Sequence, residues 1–438
     1  MEIVIMIAQF VLGLSFLVGV HELGHMLFAK YFGMRVEKFS IGFPPKIFGF
    51  KKGETEYSVG ALPFGGFVKI SGMVDESLDT NSLSQEPQPW EFRSKPPVQR
   101  LFVMLGGIIF NVITAILINA ALVFTLGEKY ISFEEAKKYQ IIPTETGKQV
   151  GFKEGDFIVG INGKTDSIDF QEVVKEALLE SESKVMVHRN GVDTTLVMPK
   201  NILDIVSQRK ESLFELATPF SIGAMESTSN AAKAGLVVGD RIIQVDSTPV
   251  AYFQQLKNAL QGKKEVDVKL MIVRQQDTLL KTCHVDSTGK IGVGIQPDIS
   301  FNTKEYNIAT SFTRGFVYSF DIIWVQLKAF SKMFSGDLDP SNSVGSFISI
   351  GKEYGGTWDW AHFWSLTATL SMVLAFMNLL PIPALDGGHV MFLMYEIISG
   401  KKPSDKFLES AQKVGMLLLF TLMIYAVFND IVNNFFSK

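Results

Sequence analysis

The chain has 438 residues, enough for several domains, and 47 % of them are hydrophobic, with a mean hydropathy of +0.21. The net charge of −4 gives no basic footprint for nucleic acid, and the single cysteine, Cys283, excludes an internal disulfide and any paired-cysteine metal site. This composition is typical of a protein with membrane-spanning segments.

Four stretches are apolar enough to predict transmembrane helices. The first covers residues 3–29; a cleaved signal peptide is the alternative, but no basic residue precedes Lys30 and no small-residue cleavage site follows the apolar run. The other three are 101–126, 363–385 and 414–428. The stretch 309–334 carries charges and places its large apolar residues at helical spacing. It predicts an amphipathic helix at the membrane surface, with a soluble core helix as the alternative.

The number of spans predicts the topology of the chain. The first and third spans run in the same direction, so their C-terminal ends meet the same leaflet. The loops on that side, 30–100 and 386–412, hold most of the basic residues that lie close to the spans. The positive-inside rule makes this face cytoplasmic, so both termini and residues 127–308 are predicted to lie outside the cytoplasm.

One motif occurs twice in the extracytoplasmic segment. VGFKEGDFIVGINGK at 150–164 aligns with AGLVVGDRIIQVDST at 234–248, and each copy places Gly-Asp ahead of alternating apolar residues. Glycine and aspartate favour a tight turn, a strand follows, and helical stretches come next at 168–180 and 251–262. The repeat predicts two duplicated domains of about 85 residues each.

The repeated motif resembles the PDZ domain, in which the turn before a strand reads G-L-x-x-G-D-x-I. Residues 219–225 (PFSIGAM) resemble the carboxylate loop and peptide-binding strand of the second copy, while the matching strand of the first copy lies somewhere before Gly147. PDZ domains bind extended peptides, including peptide C-termini, at a sheet edge. The resemblance implies binding or steric gating of a partner, with a spacer that does not use its groove as the alternative.

The first predicted span contains the sequence HELGH at 21–25. On a helix, positions i and i+4 share one face, so His21 and His25 can both reach one zinc ion. Glu22 follows the first histidine and is placed to act as general base on the attacking water and then as proton donor to the leaving amine. Ionisable residues within a span are costly and usually functional. The motif therefore predicts a Zn²⁺ site.

A catalytic zinc normally has three protein ligands, so a third is expected. The segment MNLLPIPALDGGH (377–389) ends the third span at the depth predicted for HELGH. Asp386 is the best candidate in it, His389 is the competitor, and a plain turn at a helix end is the alternative. The two prolines of the segment break the helix and can turn a side chain inward.

Further polar and glycine positions lie near this depth. Asn378 could hydrogen-bond the substrate backbone or a developing oxyanion, with bonding between helices as a nearly equal alternative. Gly107 and Asn111 lie one turn apart in the second span, and helix packing is the first interpretation of both. In the cytoplasmic loop, residues 55–72 alternate and are interrupted by Pro63 and Gly65-Gly66. They predict a β-hairpin, either structural or holding an unwound substrate by main-chain pairing.

HELGH in the first span, combined with N-x-x-P-x-P-x-L-D-G in a late span, resembles the site-2 protease family of intramembrane zinc metalloproteases. Tandem PDZ-like domains between the second and third of four spans resemble its bacterial regulator-of-sigma-E protease type. One departure is Gly107-Ile108-x-x-Asn111, where family members often have Gly-Pro-x-x-Asn. The site residues that the resemblance implies are Glu22 for catalysis, His21, His25 and Asp386 for Zn²⁺, and Asn378, Asn111, Gly65 and Gly66 for substrate binding or transition-state support.

The resemblance also implies an activity and a location. The protein is expected in the bacterial cytoplasmic (inner) membrane, in contact with membrane lipid, where it cleaves a single-span transmembrane protein near its cytoplasmic end. Anti-sigma factors shortened by another protease are the implied substrates, with remnant signal peptides as a further class, and the PDZ pair would exclude substrates with bulky outer domains. The alternative is a catalytically silent membrane PDZ adaptor, and a zinc hydrolase acting on lipid is a distant third.

The predicted fold is a polytopic α-helical membrane protein with four transmembrane helices, a membrane-associated β-hairpin and two extracytoplasmic PDZ-like α+β domains in tandem. The predicted domains are the membrane core with HExxH and the β-loop (1–127), the first and second PDZ-like domains (128–217 and 218–304), the amphipathic surface helix (305–340) and the membrane core with the LDG motif (341–438).

Overall fold

The computed structural model describes residues 2–73, 86–165, 169–209, 211–225, 227–339 and 347–431. The chain divides into two compact units. The first unit comprises 1–127, 305–331 and 343–438, and the second comprises 128–304 and 332–342.

Four helices of the described residues are long and apolar enough to cross a membrane, as the sequence predicts. They are the first to fourth spans, Glu2–Tyr31, Pro97–Leu126, Trp360–Leu379 and Lys406–Asp430, the last lying within the helix Asp405–Ile431. The third helix ends at Leu379 rather than at 385, because Pro381 lacks a backbone donor and its ring disfavours a helical residue before it. The fourth begins well before the predicted 414.

The first three spans meet through small residues and buried hydrogen bonds. A Cβ atom added to Gly24 of the first span would overlap the backbone carbonyl of Gly106 in the second span. Ser371 of the third span donates its hydroxyl to the backbone carbonyl of Asn111, with an O···O distance of 2.8 Å. Glycine pairs let helix backbones approach closely, and the bonded hydroxyl fixes the third helix against the second.

A two-stranded sheet follows the first span. Strand β1 (Val36–Lys52) pairs with β2 (Thr55–Ile70), and the turn between them lies at 53–54. The prediction of a complete hairpin within 55–72 is therefore wrong, because that stretch supplies one strand and residues before it supply the other. Within β1, Ser40 lies opposite both Phe67 and Ser58, so the first half of β1 is flanked on two sides. Residues 66–70 pair along one edge only among the described residues.

Among the described residues, three further helices lie wholly or mostly in the first unit. They are Ile308–Ser335, Phe347–Glu353 and Asp386–Ser399, and a 3₁₀ turn at Phe92–Ser94 precedes the second span. In the first of them, Gly315 lies against the backbone of Ala120, and Ser319 accepts a hydrogen bond of 2.9 Å from Asn119. Its large side chains are exposed, including Phe312, Phe316, Phe320 and Trp324. Its position at a membrane surface stays a prediction.

The second unit contains two consecutive copies of one arrangement: a strand, a short helix, a strand, a helix, a strand pair and a closing strand that pairs with the first. The first copy comprises β4 (Ile141–Pro143), Glu145–Gln149, β5 (Phe157–Ile161), Phe170–Leu179, β6 (Lys184–Arg189), β7 (Val192–Val197), an additional helix Ile202–Arg209 and β8 (Phe214–Leu216). The second comprises β9 (Phe220–Met225), Asn230–Lys233, β10 (Arg241–Val245), β11 (Thr248–Pro249), Phe253–Gln261, β12 (Asp267–Arg274), β13 (Asp277–His284) and β14 (Val293–Pro297). Strands β3 (Glu128–Tyr130) and β15 (Asn302–Lys304) pair beside them, and the helix Phe133–Ala136 precedes the first copy.

Each copy contains a buried ion pair at the same place in its sequence. The guanidinium of Arg189 donates to both carboxylate oxygens of Asp156 at 2.7 Å, and that of Arg274 donates to those of Asp240 at 2.8 and 2.9 Å. In both pairs the aspartate side chain is fully buried. The Gly-Asp of the repeated motif thus ties its turn to a later strand. That the copies are PDZ domains stays a prediction.

Candidate metal centre

Three side chains from two distant parts of the chain converge in the first unit. The Nε2 atoms of His21 and His25 lie 3.2 Å apart, and Oδ2 of Asp386 lies 3.1 Å from the first and 3.3 Å from the second. Both histidines are buried on one face of the first span. Among the described residues, these three form the one group of histidine, cysteine and carboxylate side chains close enough to hold a metal ion.

Asp386 reaches the histidines because the chain turns sharply after the third span. The Ile382 amide donates to the Leu380 carbonyl at 2.7 Å, and the Leu385 amide donates to the Ile382 carbonyl at 3.0 Å. The next helix begins at Asp386 itself. The two prolines of this segment prevent the third span from continuing, so the turn delivers the carboxylate back toward the first span.

The outer nitrogen of each imidazole faces a polar group of the second span. Nδ1 of His25 lies 2.8 Å from the carbonyl oxygen of Val103, and Nδ1 of His21 lies 3.2 Å from the side-chain amide of Asn111. The Asn111 side chain is fully buried, and its Oδ1 has no partner among the described residues. An amide turned by half a rotation exchanges oxygen and nitrogen, and then Oδ1 accepts from His21 Nδ1–H. In that tautomer both Nε2 lone pairs point at Asp386.

The donor atoms of this cluster fit a zinc ion. Oδ2 of Asp386 is buried and receives no hydrogen bond among the described residues, although it lies within ion-pair distance of both histidines. An unprotonated carboxylate beside two imidazole lone pairs is a donor set that zinc prefers, and three protein ligands leave one coordination position for catalysis. Carbonyl and amide acceptors behind the imidazoles are the usual outer partners of metal-bound histidines.

A cavity of 370 Å³ opens in front of the three side chains. Glu22, Asn378 and His389 contribute polar groups to its wall, and most of the other lining side chains are apolar. Gly107 borders the histidines from the second span: a Cβ atom there would lie 2.5 Å from His21 Cε1 and 2.6 Å from His25 Nε2. Glycine is therefore required at this position because the imidazoles occupy the space of its side chain.

Strand β2 passes directly over Glu22. The backbone N–H of Val68 donates a hydrogen bond to the Glu22 carboxylate, and a Cβ atom on Gly66 would lie 3.2 Å from Glu22 Cγ. Gly66 lines the cavity, whereas Gly65 packs on the ring of Phe43, which itself lines the cavity. The structure thus brings Gly66 to the cavity and places Gly65 behind it.

Comparison with known proteins identifies the family. Residues 9–422, nearly the whole chain, match the family model of peptidase family M50. The chain belongs to peptidase family M50. It is 29 % identical to the regulator of sigma E protease of Haemophilus influenzae and 28 % identical to that of Salmonella typhimurium strain LT2, each over 97 % of this chain and 98 % of the relative. It is also 29 % identical to a protein of Neisseria meningitidis named as a zinc metalloprotease, over 96 % of this chain and 98 % of the relative.

These similarities establish this M50 peptidase as a metalloprotease, and the four apolar helices make it a multi-pass membrane protein. Asn378 places its side-chain amide 3.3 Å from Nε2 of His21. His389 lines the cavity but is not part of the three-residue cluster. Among the two competitors for the third ligand, the structure groups Asp386 with the histidines.

One cavity residue of this M50 peptidase was not predicted from the sequence. Gln412 is buried near the start of the fourth helix and lines the cavity. Hydropathy places the fourth span at 414–428 and so leaves Gln412 in the preceding loop. Gln412 reaches the cavity because the helix starts at Asp405 and packs beside the turn that carries Asp386.

Proposed function

We propose that this M50 peptidase is an intramembrane zinc endopeptidase in which His21, His25 and Asp386 hold the metal and Glu22 is the catalytic base. The observation that carries the proposal is the convergence of these side chains on one cavity inside the unit that contains the spans. Charged and polar side chains buried at such a position are expensive unless they bind something. A metal ion supplies the missing partner of the Asp386 oxygen.

The reaction needs a polarised carbonyl, an activated water and a proton for the leaving amine. Zinc, when bound, supplies a Lewis acid that polarises the scissile carbonyl. Glu22 accepts the proton of the attacking water and later returns it to the amine nitrogen, so the peptide bond breaks without net change in the protonation of Glu22. The Val68 N–H holds the carboxylate toward the cavity. The Asn378 amide lies where it can donate to the oxygen that develops negative charge.

The substrate has to be an unwound segment, because a helix hides its carbonyls in internal hydrogen bonds. Residues 66–70 of β2 pair with β1 along one edge, and Gly66, Phe67, Val68 and Ile70 line the cavity along the other. An extended peptide can add to this edge as a further strand, with its backbone groups satisfied by main-chain pairing. The contact would hold the scissile bond beside Glu22.

The relatives named as regulators of sigma E support a proposal for the substrate class. Single-span membrane proteins of the anti-sigma factor type, shortened by another protease, are the proposed substrates, and remnant signal peptides are a further class. The proposed topology puts the protein in the bacterial cytoplasmic membrane, with both termini and the two repeats outside the cytoplasm. The repeats, as PDZ-like domains, would exclude substrates that retain bulky outer domains.

A comparison of the intact protein with Glu22→Gln tests the proposal. Both proteins, purified in detergent, are expected to contain one zinc per chain, and only the intact protein should cleave a test transmembrane substrate. Glu353→Gln, at the end of a helix away from the cavity, is the matched control and should cleave normally. Cleavage by Glu22→Gln would remove the proposed base, and a zinc-free, inactive wild type would favour the silent adaptor.

A further inference from the structure

The fourth span packs directly on the turn that precedes Asp386. A Cβ atom added to Gly415 would overlap the backbone carbonyl of Pro383 and lie 3.0 Å from its Cα atom. No side chain fits between the helix and the turn, not even a methyl group. Gln412, one helical turn earlier, lines the cavity, so the fourth helix forms part of the wall at this point.

The helix that begins at Asp386 packs just as closely on the same turn. A Cβ atom on Gly387 would overlap the Leu380 carbonyl, and one on Gly388 would lie 2.6 Å from the Ile382 carbonyl oxygen. Ala384, in the same turn, has a φ of +83°, in the left-handed region that L-residues avoid. Such a conformation persists only where the surroundings over-determine it.

We propose that Gly415 is a positioning residue for Asp386. By letting the fourth span press on the Pro383 carbonyl, it keeps the turn in the one shape that presents the carboxylate to His21 and His25. This inference rests on the proposed function, because it takes those three side chains as the zinc ligands.

The three proposed ligands are held in place by different parts of the chain. His21 and His25 belong to the first span and are supported by the second, through Val103 and Asn111. Asp386 alone follows the turn, so any shift of the turn moves the carboxylate and leaves the imidazoles in place. A change at Gly415 should therefore weaken zinc binding through the carboxylate only.

A double-mutant cycle on the full chain tests this separation. Zinc affinity is measured by competition with a chromogenic chelator for the wild type, Gly415→Ala, Asp386→Asn and the double variant. We expect Gly415→Ala to lower the affinity about tenfold in the wild type, as loss of a ligand's support does elsewhere, and to add nothing when Asp386 is already Asn. Val414→Leu is the matched control, because it adds bulk at the neighbouring exposed position and should leave zinc affinity unchanged.

The outcomes distinguish the inference from the proposed function. An equal loss in both backgrounds, or no loss in the wild type, overturns the role of Gly415. Zinc affinity that is unaffected by Asp386→Asn contradicts the proposed ligand set instead. If Gly415→Ala does not accumulate as folded protein, Pro383→Ala frees the φ angle of the turn residue whose carbonyl meets Gly415 and so loosens the turn itself. It should then lower zinc affinity in the wild type and not with Asp386→Asn, and any other pattern overturns the inference.

Discussion

The two histidines of the cluster are held in place by different kinds of group. His25 Nδ1 faces a backbone carbonyl, which no substitution of Val103 removes, whereas His21 Nδ1 faces the Asn111 side chain. The position of His21 therefore depends on a side chain that a substitution can remove. The fully buried Asn111 oxygen has no partner in the orientation shown, and after a half-turn of the amide the Nδ1–H of His21 supplies the donor that it needs.

Substitution of Asn111 should accordingly weaken the metal site. Asn111→Ala removes the acceptor of His21 Nδ1–H, so we expect zinc affinity to fall by about 10- to 100-fold in chelator competition. Asn111→Asp keeps an acceptor and should bind zinc more tightly than the alanine variant. Ser371→Ala, which removes only a bond to the Asn111 backbone carbonyl, is the control. Equal affinities of the alanine and aspartate variants would reduce Asn111 to helix packing.

At the scale of the element, the backbone amides of β2 near the cavity point alternately toward β1 and toward the cavity. The Ser71 amide donates to the Arg35 carbonyl at 3.0 Å, so with the period of two along a strand the amides of residues 67 and 69 face β1. The amides of 66 and 68 then face the cavity, in agreement with the bond from Val68 to Glu22. Alternate amides of this strand thus hydrogen-bond within the sheet or are directed at the catalytic cavity.

Proline substitutions can separate these two roles. Val68→Pro removes an amide that faces the cavity on an edge strand, where proline is tolerated, so zinc content should persist while cleavage falls by roughly tenfold or more. Val68→Ala, which keeps the amide, controls for the side chain and should cleave nearly as well as the wild type. The account of the edge is contradicted if Val68→Pro cleaves at the wild-type rate.

The buried ion pair of the second repeat gives a pH-dependent prediction. Burial alone raises the pKa of Asp240, but the bonds from Arg274 and the Val237 amide outweigh it and hold the pKa below the usual 3.8. Because the folded pKa is lower than the unfolded one, the pair stabilises the fold above pH 3.8. That stabilisation is lost as the pH falls through the folded pKa.

Cys283 reports on this pair within the intact protein. It lies in the core of the same repeat, and burial raises the pKa of its thiol to about 11, so labelling requires the repeat to open. Asp240→Asn should cost on the order of 2 kcal/mol and speed labelling by roughly 30-fold at pH 7. With a dipyridyl disulfide, which reacts in acid, the difference from wild type should vanish well below pH 3.8. The exposed Asp193→Asn is the control, and a pH-independent difference would contradict the role of the carboxylate.

At the scale of the whole molecule, all the proposed catalytic side chains belong to the first unit and the repeats belong to the second. Deleting 128–304 should therefore leave zinc content unchanged. If the repeats act as a size filter, the deletion should speed cleavage of a substrate that retains its outer domain and leave that of a shortened substrate unaltered. Equal rates on both substrates before and after the deletion would contradict a filtering role.

The sequence predicted the four spans and the two histidines of the cluster because hydropathy and the HExxH spacing are local patterns. It did not predict β1, whose first half is flanked on both sides and whose partner lies beyond a turn. Gln412 was missed because hydropathy starts the fourth span too late, and Gly415 because its role arises from packing on Pro383, a contact between segments that no local period reveals. Likewise, depth alone left Asp386 and His389 as competitors, since only the turn at Ala384 decides which side chain meets the histidines.

The position of the metal ion tests the proposed set of ligands. Crystals of the zinc-loaded Glu22→Gln protein, measured on both sides of the zinc absorption edge, would show where the ion lies. We predict one anomalous peak within bonding distance of Nε2 of His21, Nε2 of His25 and a carboxylate oxygen of Asp386, about 2.0–2.2 Å from each. A peak bound by His389 in place of Asp386, or a zinc ion bound elsewhere with none at this cluster, would contradict it.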